Sequence, residues 1–108
     1  MKKAIIFFLL IILSIPILLN IEWIIGGYPW VKTNMELDVR NHLASKGINL
    51  ENIQDLKAGY NRKFGTYTTR VTFHDDNNNV YYYDYINQEI NQTGVSTSNR
   101  SEAKYLEK

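Results

Sequence analysis

The sequence predicts an α+β protein: an N-terminal transmembrane helix, then a small domain with one amphipathic helix packed on a three-stranded antiparallel meander. Three observations carry this expectation. Residues 4–19 are almost unbroken Ile, Leu and Phe. Thr33-Asn34-Met35-Glu36 has the spacing of a capping box and opens a helical repeat. Two runs of alternating aromatic and β-branched residues, 66–74 and 80–86, flank an Asp/Asn-rich loop.

Lys2 and Lys3 precede the apolar run, and Ser14 and Pro16 are its only interruptions. At about 1.5 Å per residue the run covers about 24 Å, and continued through Ile25 about 33 Å, enough for a hydrocarbon core of about 30 Å. Pro16 should bend such a helix rather than end it. Glu22 is costly at mid-membrane but tolerable among headgroups, where Trp23, Tyr28 and Trp30 are the residue types of an interfacial belt. These four residues form the expected membrane interface. A cleaved signal has an apolar core of roughly 7–15 residues followed by a small-x-small site. Here the core is longer and no such site follows, which favours an uncleaved single-pass anchor over a cleaved signal. Lys2 and Lys3 then place the N-terminus in the cytoplasm and the domain outside the cell membrane. The expected division is an anchor over 1–27, an extracytoplasmic α+β domain over 28–90, and a polar, flexible tail over 91–108.

Beyond the anchor the charges cancel: without Lys2, Lys3 and Glu22, ten basic and ten acidic residues remain. No basic face stands out in the sequence, so a nucleic-acid partner has no electrostatic support. Cysteine is absent, which fits an envelope where disulfides are little used. Asn91-Gln92-Thr93 and Asn99-Arg100-Ser101 match the glycosylation sequon but lie in an Asn/Ser/Thr-rich stretch where such triplets arise by chance.

Gly26-Gly27 and Pro29 break the membrane helix. The helix opened by Thr33 should run over 33–46, with Gly47 as its left-handed stop and Met35, Val39, His42 and Leu43 on one face. Residues 53–60 fit two patterns, Ile53, Leu56 and Tyr60 suiting a helix and Leu56, Ala58 and Tyr60 alternating as in a strand, and Gly59 and the short length favour the strand. The strand over 66–74 puts Tyr67, Thr69, Val71 and Phe73 on one face. The strand over 80–86 does the same with Tyr81, Tyr83 and Tyr85. A hairpin loop over 76–78 would set Phe73 opposite Tyr81, Val71 opposite Tyr83 and Arg70 opposite Asp84. A short helix is expected over 101–106.

In order, the lysine-started anchor, Tyr28-Pro29-Trp30, a helix ending in Lys46-Gly47, Tyr60, Lys63-Phe64-Gly65-Thr66-Tyr67, Val71-Thr72-Phe73 and the alternating tyrosines resemble the family catalogued as domain of unknown function 3139. That family is one of short, single-pass, outward-facing proteins of Gram-positive bacteria. The resemblance implies a membrane-anchored extracytoplasmic α+β domain and carries no functional residues over. Where the family has an acidic-acidic-proline turn, this chain has Asp75-Asp76-Asn77.

Chemistry is thinly signalled. Asp75, Asn77 and Asn79 alternate as in a calcium loop, but the sixth and twelfth positions hold Val80 and Ile86 where Gly and a bidentate Glu belong. His42 and His74 without cysteine make a weak zinc set. Ser96, Ser98 and Ser101 have nothing to hold an oxyanion site. No catalytic residue, cofactor or metal is therefore expected, and no enzyme. Tyr81, Tyr82, Tyr83 and Tyr85 admit two readings: core on one face with a half-exposed strand surface on the other, or an aromatic platform for a polysaccharide, peptide strand or partner domain. The expected role is a non-enzymatic binding module whose partners are the lipid bilayer and an envelope protein or cell-wall component. The alternative is a small membrane-active or immunity-type protein acting through its transmembrane helix.

Overall fold

The computed structural model describes residues 1–97 and 103–107. Its apolar start forms α1 (Lys2–Leu19), with a mean hydropathy of 2.4 and none of its residues buried. At about 1.5 Å per residue it is about 27 Å long, and it is apolar enough to cross a bilayer. Pro16 does not end it. The helix gives way at Asn20 (φ −116°), whose amide still reaches the carbonyls of Pro16 and Ile17. It resumes as α2 (Ile21–Ile25), which stops at Gly26 in the left-handed region.

The third helix, α3 (Pro29–Ser45), starts one turn before the expected position. Pro29 occupies its first turn, where a missing N–H costs nothing and a fixed φ helps. Thr33 therefore lies inside the helix. Its hydroxyl donates to the Pro29 carbonyl at 3.0 Å, so Thr33 and Glu36 form no capping box. The C-terminal end follows expectation. Gly47 (φ +80°) turns the chain, and the Ile48 amide closes back on Leu43 at 3.1 Å.

A 3₁₀ turn (Leu50–Asn52) leads into β1 (Ile53–Asn61), β2 (Thr66–Phe73), β3 (Asp76–Ile86) and β4 (Glu89–Ser96), an antiparallel meander in the order β1-β2-β3-β4. The sheet has four strands, not the three expected. The fourth comes from the polar stretch read as the start of a tail. It is joined to β3 by Asn87 (φ 52°) and Gln88 (φ 68°), a two-residue turn with both positions left-handed.

One face of the sheet carries α3. Met35, Val39 and Leu43 pack on Leu56, Ala58, Val71, Phe73, Tyr81 and Tyr83, all buried. The β2–β3 register keeps the expected faces but slides by two residues. Val71 pairs with Tyr81 and Thr69 with Tyr83, and a bulge follows before Phe73 meets Asp76. The slide arises because β2 turns tightly at His74-Asp75 and β3 absorbs the surplus as a bulge, in place of a loop over 76–78. Within the bulge Asn79 donates to the Asp76 carboxylate at 2.7 Å. The expected pair of Arg70 and Asp84 is lost, since Arg70 now stands opposite Tyr82.

Beyond β4, residues 103–107 cross the open end of the core. The Tyr105 ring lies 3.9 Å from Phe73, centroid to centroid. Its hydroxyl donates to the Asp75 carboxylate at 2.8 Å and accepts from Asn52 at 2.6 Å. Gln92 donates to the Tyr105 carbonyl at 2.9 Å and accepts from the Glu107 amide at 2.8 Å. This segment is a turn without helix. The first residues of the helix expected over 101–106, the second sequon, Ser98 and Ser101 lie outside the described residues.

Candidate functional site

Two features set this domain apart from a plain packed sheet: the way the N-terminal helices meet it, and the open face of the sheet. The junction begins with the paired glycines. Gly27 has φ +95°, and a Cβ there would lie 2.7 Å from Tyr60 Cβ and 2.9 Å from Tyr67 Cε1. Only glycine lets the backbone leaving α2 press against the β1–β2 hairpin this closely. The rings of Tyr60 and Tyr67 meet edge to face at 5.0 Å. The Tyr67 hydroxyl accepts from the Tyr28 amide at 2.9 Å and donates to the Glu22 carboxylate at 2.5 Å. Burial, and then the bond to Glu22, raise the Tyr67 pKa, so the phenol keeps the proton it donates.

Arg62, just beyond β1, completes the junction. Its Nε donates to the Trp23 carbonyl at 2.8 Å and its Nη2 to the Ile24 carbonyl at 3.4 Å. These are carbonyls that the end of a short helix leaves without partners. The guanidinium also stands 5.8 Å from the Trp23 ring centroid. Of the four residues expected at the membrane interface, Glu22 and Trp23 are thus tied to the domain. Tyr28 and Trp30 stack on each other at 4.5 Å, with Trp30 and Trp23 largely exposed. Composition marked these four. It did not mark Tyr60, Arg62 and Tyr67, because their partners lie about 40 residues away in the chain. Gly26-Gly27 was the available signal, legible as a break but not as a contact.

The hairpin between β1 and β2 ends in Lys63 and Phe64, with the ammonium 5.3 Å from the ring centroid and Phe64 67% exposed. From this tip an open groove runs up the outer face of the sheet, lined by Gly59, Asn61, Arg62, Lys63, Arg70 and Tyr82. Lys57 faces Arg70 across the strands. Like charges directly opposite repel, and among the described residues none of Lys57, Arg62, Lys63 and Arg70 forms an ion pair. The groove, which Tyr60 also lines, offers hydrogen-bond donors, positive charge and two tyrosines, a combination that attracts anions.

The tyrosine platform does not assemble. Tyr81 and Tyr83 lie in the core, Tyr82 alone points to the outer face, and Tyr85 is half-exposed with its hydroxyl bonded to the Asp38 carboxylate. The Tyr81 hydroxyl donates to Asp76, and burial followed by that bond raises its pKa to about 12. Burial likewise raises the pKa of Tyr83, and that of Tyr85 to about 12.

His42 stands edge-on to Tyr83 at 5.7 Å with Nε2 3.0 Å from the Glu107 carboxylate. His74 is exposed at the β2–β3 turn. Asp75 bonds Asn52 and Tyr105, and those bonds hold its carboxyl below the usual range. Among the described residues no three His, Cys, Asp or Glu side chains are grouped to hold a metal.

No curated protein and no solved structure matches the chain. A family described as "Protein of unknown function (DUF3139)" matches residues 1–83, a span that takes in α1, the glycine junction, α3, the β1–β2 hairpin and β3 as far as Tyr83. β4 and the segment carrying Tyr105 fall beyond the matched span. With well over half its length covered, from the apolar helix through the core tyrosines, the chain belongs to the DUF3139 family.

Proposed function

We propose that the protein is a single-pass, membrane-tethered binding module without enzymatic activity. Its N-terminus is cytoplasmic, and its α+β domain stands outside the cytoplasmic membrane of a Gram-positive envelope. The observation that carries this reading is the seating of α2 on the β1–β2 hairpin. Glu22, the Trp23 and Ile24 carbonyls and Gly27 all have partners in the domain. Cleavage near Gly27 would strand Arg62 and Tyr67 without the groups they hold, so the seating favours retention of the helix. The dilysine start favours the cytoplasmic orientation of the N-terminus.

The partner is another envelope component, a protein or a cell-wall polymer. The open face of the sheet, with Tyr82, Lys57 and Arg70, is the surface offered to it. Fractionation tests the reading: full-length protein should resist alkaline extraction of membranes and be digested by protease added outside intact cells. A cytosolic pool, or a released form beginning near Gly27, overturns it.

A second reading draws on α1, none of whose residues is buried. There the helix itself engages a partner's membrane helix. A scrambled Leu/Ile anchor that preserves the phenotype removes it.

A further inference from the structure

We infer that the tip of the β1–β2 hairpin is a second membrane contact, in which Phe64 enters the outer interface of the bilayer and Arg62 and Lys63 bind anionic lipid headgroups. This inference rests on the anchored reading above. Direction decides it. Tyr60 meets the chain at Gly27, whereas Arg62 meets it at Trp23 and Ile24. From Gly27 the chain runs back through α2 to Trp23, towards the bilayer, and from Tyr60 the hairpin runs alongside it to Arg62. The hairpin therefore runs down beside α2, and Lys63 and Phe64 share with Arg62 the turn that stands beside Trp23, itself an interfacial residue type.

The side chains fit that depth. Phe64 is exposed, with the Lys63 ammonium over its ring. Lys63 carries no ion pair among the described residues, and the Arg62 charge faces carbonyls rather than a carboxylate. An aromatic ring beside two cations is the pattern of a segment lying in a headgroup layer. Lys57 and Arg70, higher on the same face, extend the positive field away from the surface. The occupant is the bilayer that α1 enters, because the junction fixes the tip beside the helix that leads into it.

The chain has no cysteine, so single reporters can be placed in the full-length protein. An environment-sensitive dye is attached to Phe64→Cys and, as the distal comparison, to Asn77→Cys near the opposite end of the sheet. Each labelled protein is reconstituted in phosphatidylglycerol vesicles containing brominated lipid. The expected result is quenching at position 64 at least about fivefold that at position 77, as befits a probe among acyl chains rather than in water. Removing phosphatidylglycerol in favour of phosphatidylcholine, or adding Lys63→Glu, should lower the quenching at 64 by about half. Equal quenching at 64 and 77 overturns the inference. Quenching at 64 that ignores both lipid charge and Lys63→Glu overturns the headgroup assignment. Trp23 and Trp30 supply the separate check. If their fluorescence is quenched while position 64 stays dark to bromine, the anchor stands and the tip contact falls. If theirs is not quenched either, both fall.

Discussion

Two backbone positions show how a single residue is used or strained. Gln88 sits at φ 68° in the β3–β4 turn, a conformation that costs a side-chain-bearing residue about 1 kcal/mol and glycine almost nothing. Gln88→Gly should therefore stabilise the fold by about 0.5–1 kcal/mol, read as a higher midpoint in thermal unfolding. Gly27 is the converse case. Gly27→Ala adds a Cβ 2.7 Å from Tyr60 Cβ at φ +95°, and should cost about 2–4 kcal/mol. The damage should be local. The Tyr28 amide, which donates to Tyr67, should lose protection from hydrogen exchange before the sheet does. Gly47→Ala is the matched control, since a Cβ at Gly47 meets nothing within 4 Å; it should lose only the left-handed term, about 1 kcal/mol.

At the scale of elements, legibility followed local pattern. The alternation in β2 and β3 identified the buried faces because one face must exclude water, and the Met35/Val39/Leu43 stripe identified the helix that covers it. Whatever depended on distant partners stayed hidden. The capping box at Thr33 was outcompeted by Pro29, which begins the helix earlier. The register slid two residues because a bulge in β3 conserves the faces while moving the pairs, and pattern alone cannot tell such registers apart. β4 has no clear strand pattern, for a physical reason. Its inward residues are Ile90, Gln92 and Val95, broken from strict alternation by a bulge, and Gln92 is polar. Its turn also lacks the glycine that usually marks a two-residue hairpin. The candidate site was half legible: Glu22, Trp23, Tyr28 and Trp30 by composition, the roles of Arg62 and Tyr67 not at all. That β4 belongs to the domain has a consequence. Truncation after Ile90 strips β3 of its neighbour and the core of the Tyr105 ring, and should abolish the cooperative unfolding transition. Tyr105→Ala, which keeps β4 but loses the stack on Phe73 and the bonds to Asn52 and Asp75, should cost about 2–4 kcal/mol in denaturant unfolding.

The whole molecule is elongated, 70 × 26 × 25 Å, with an apolar rod at one end and a sheet whose core is unusually phenolic. Its stability should consequently fail in alkali. Burial, and then the bond to Asp76, raise the Tyr81 pKa from 10.0 to about 12, and burial raises that of Tyr83 as well. A phenol whose folded pKa exceeds its unfolded one binds its proton more tightly in the fold. The resulting stability is intact below pH 10.0, where both states are protonated, and drains away as pH rises towards about 12. Each such tyrosine should steepen the loss by about 1 kcal/mol per pH unit above the ordinary phenol value. Urea unfolding of the full chain in detergent micelles, repeated between about pH 9 and about pH 11 and followed by circular dichroism, measures this slope directly. Tyr83→Phe keeps the ring in place and leaves Gln92 its bond to the Tyr105 carbonyl. The variant should fold, and its stability should fall less steeply by about 1 kcal/mol per pH unit. A slope unchanged by Tyr83→Phe would mean that the buried phenol does not govern the alkaline limit, and that the sheet opens first elsewhere.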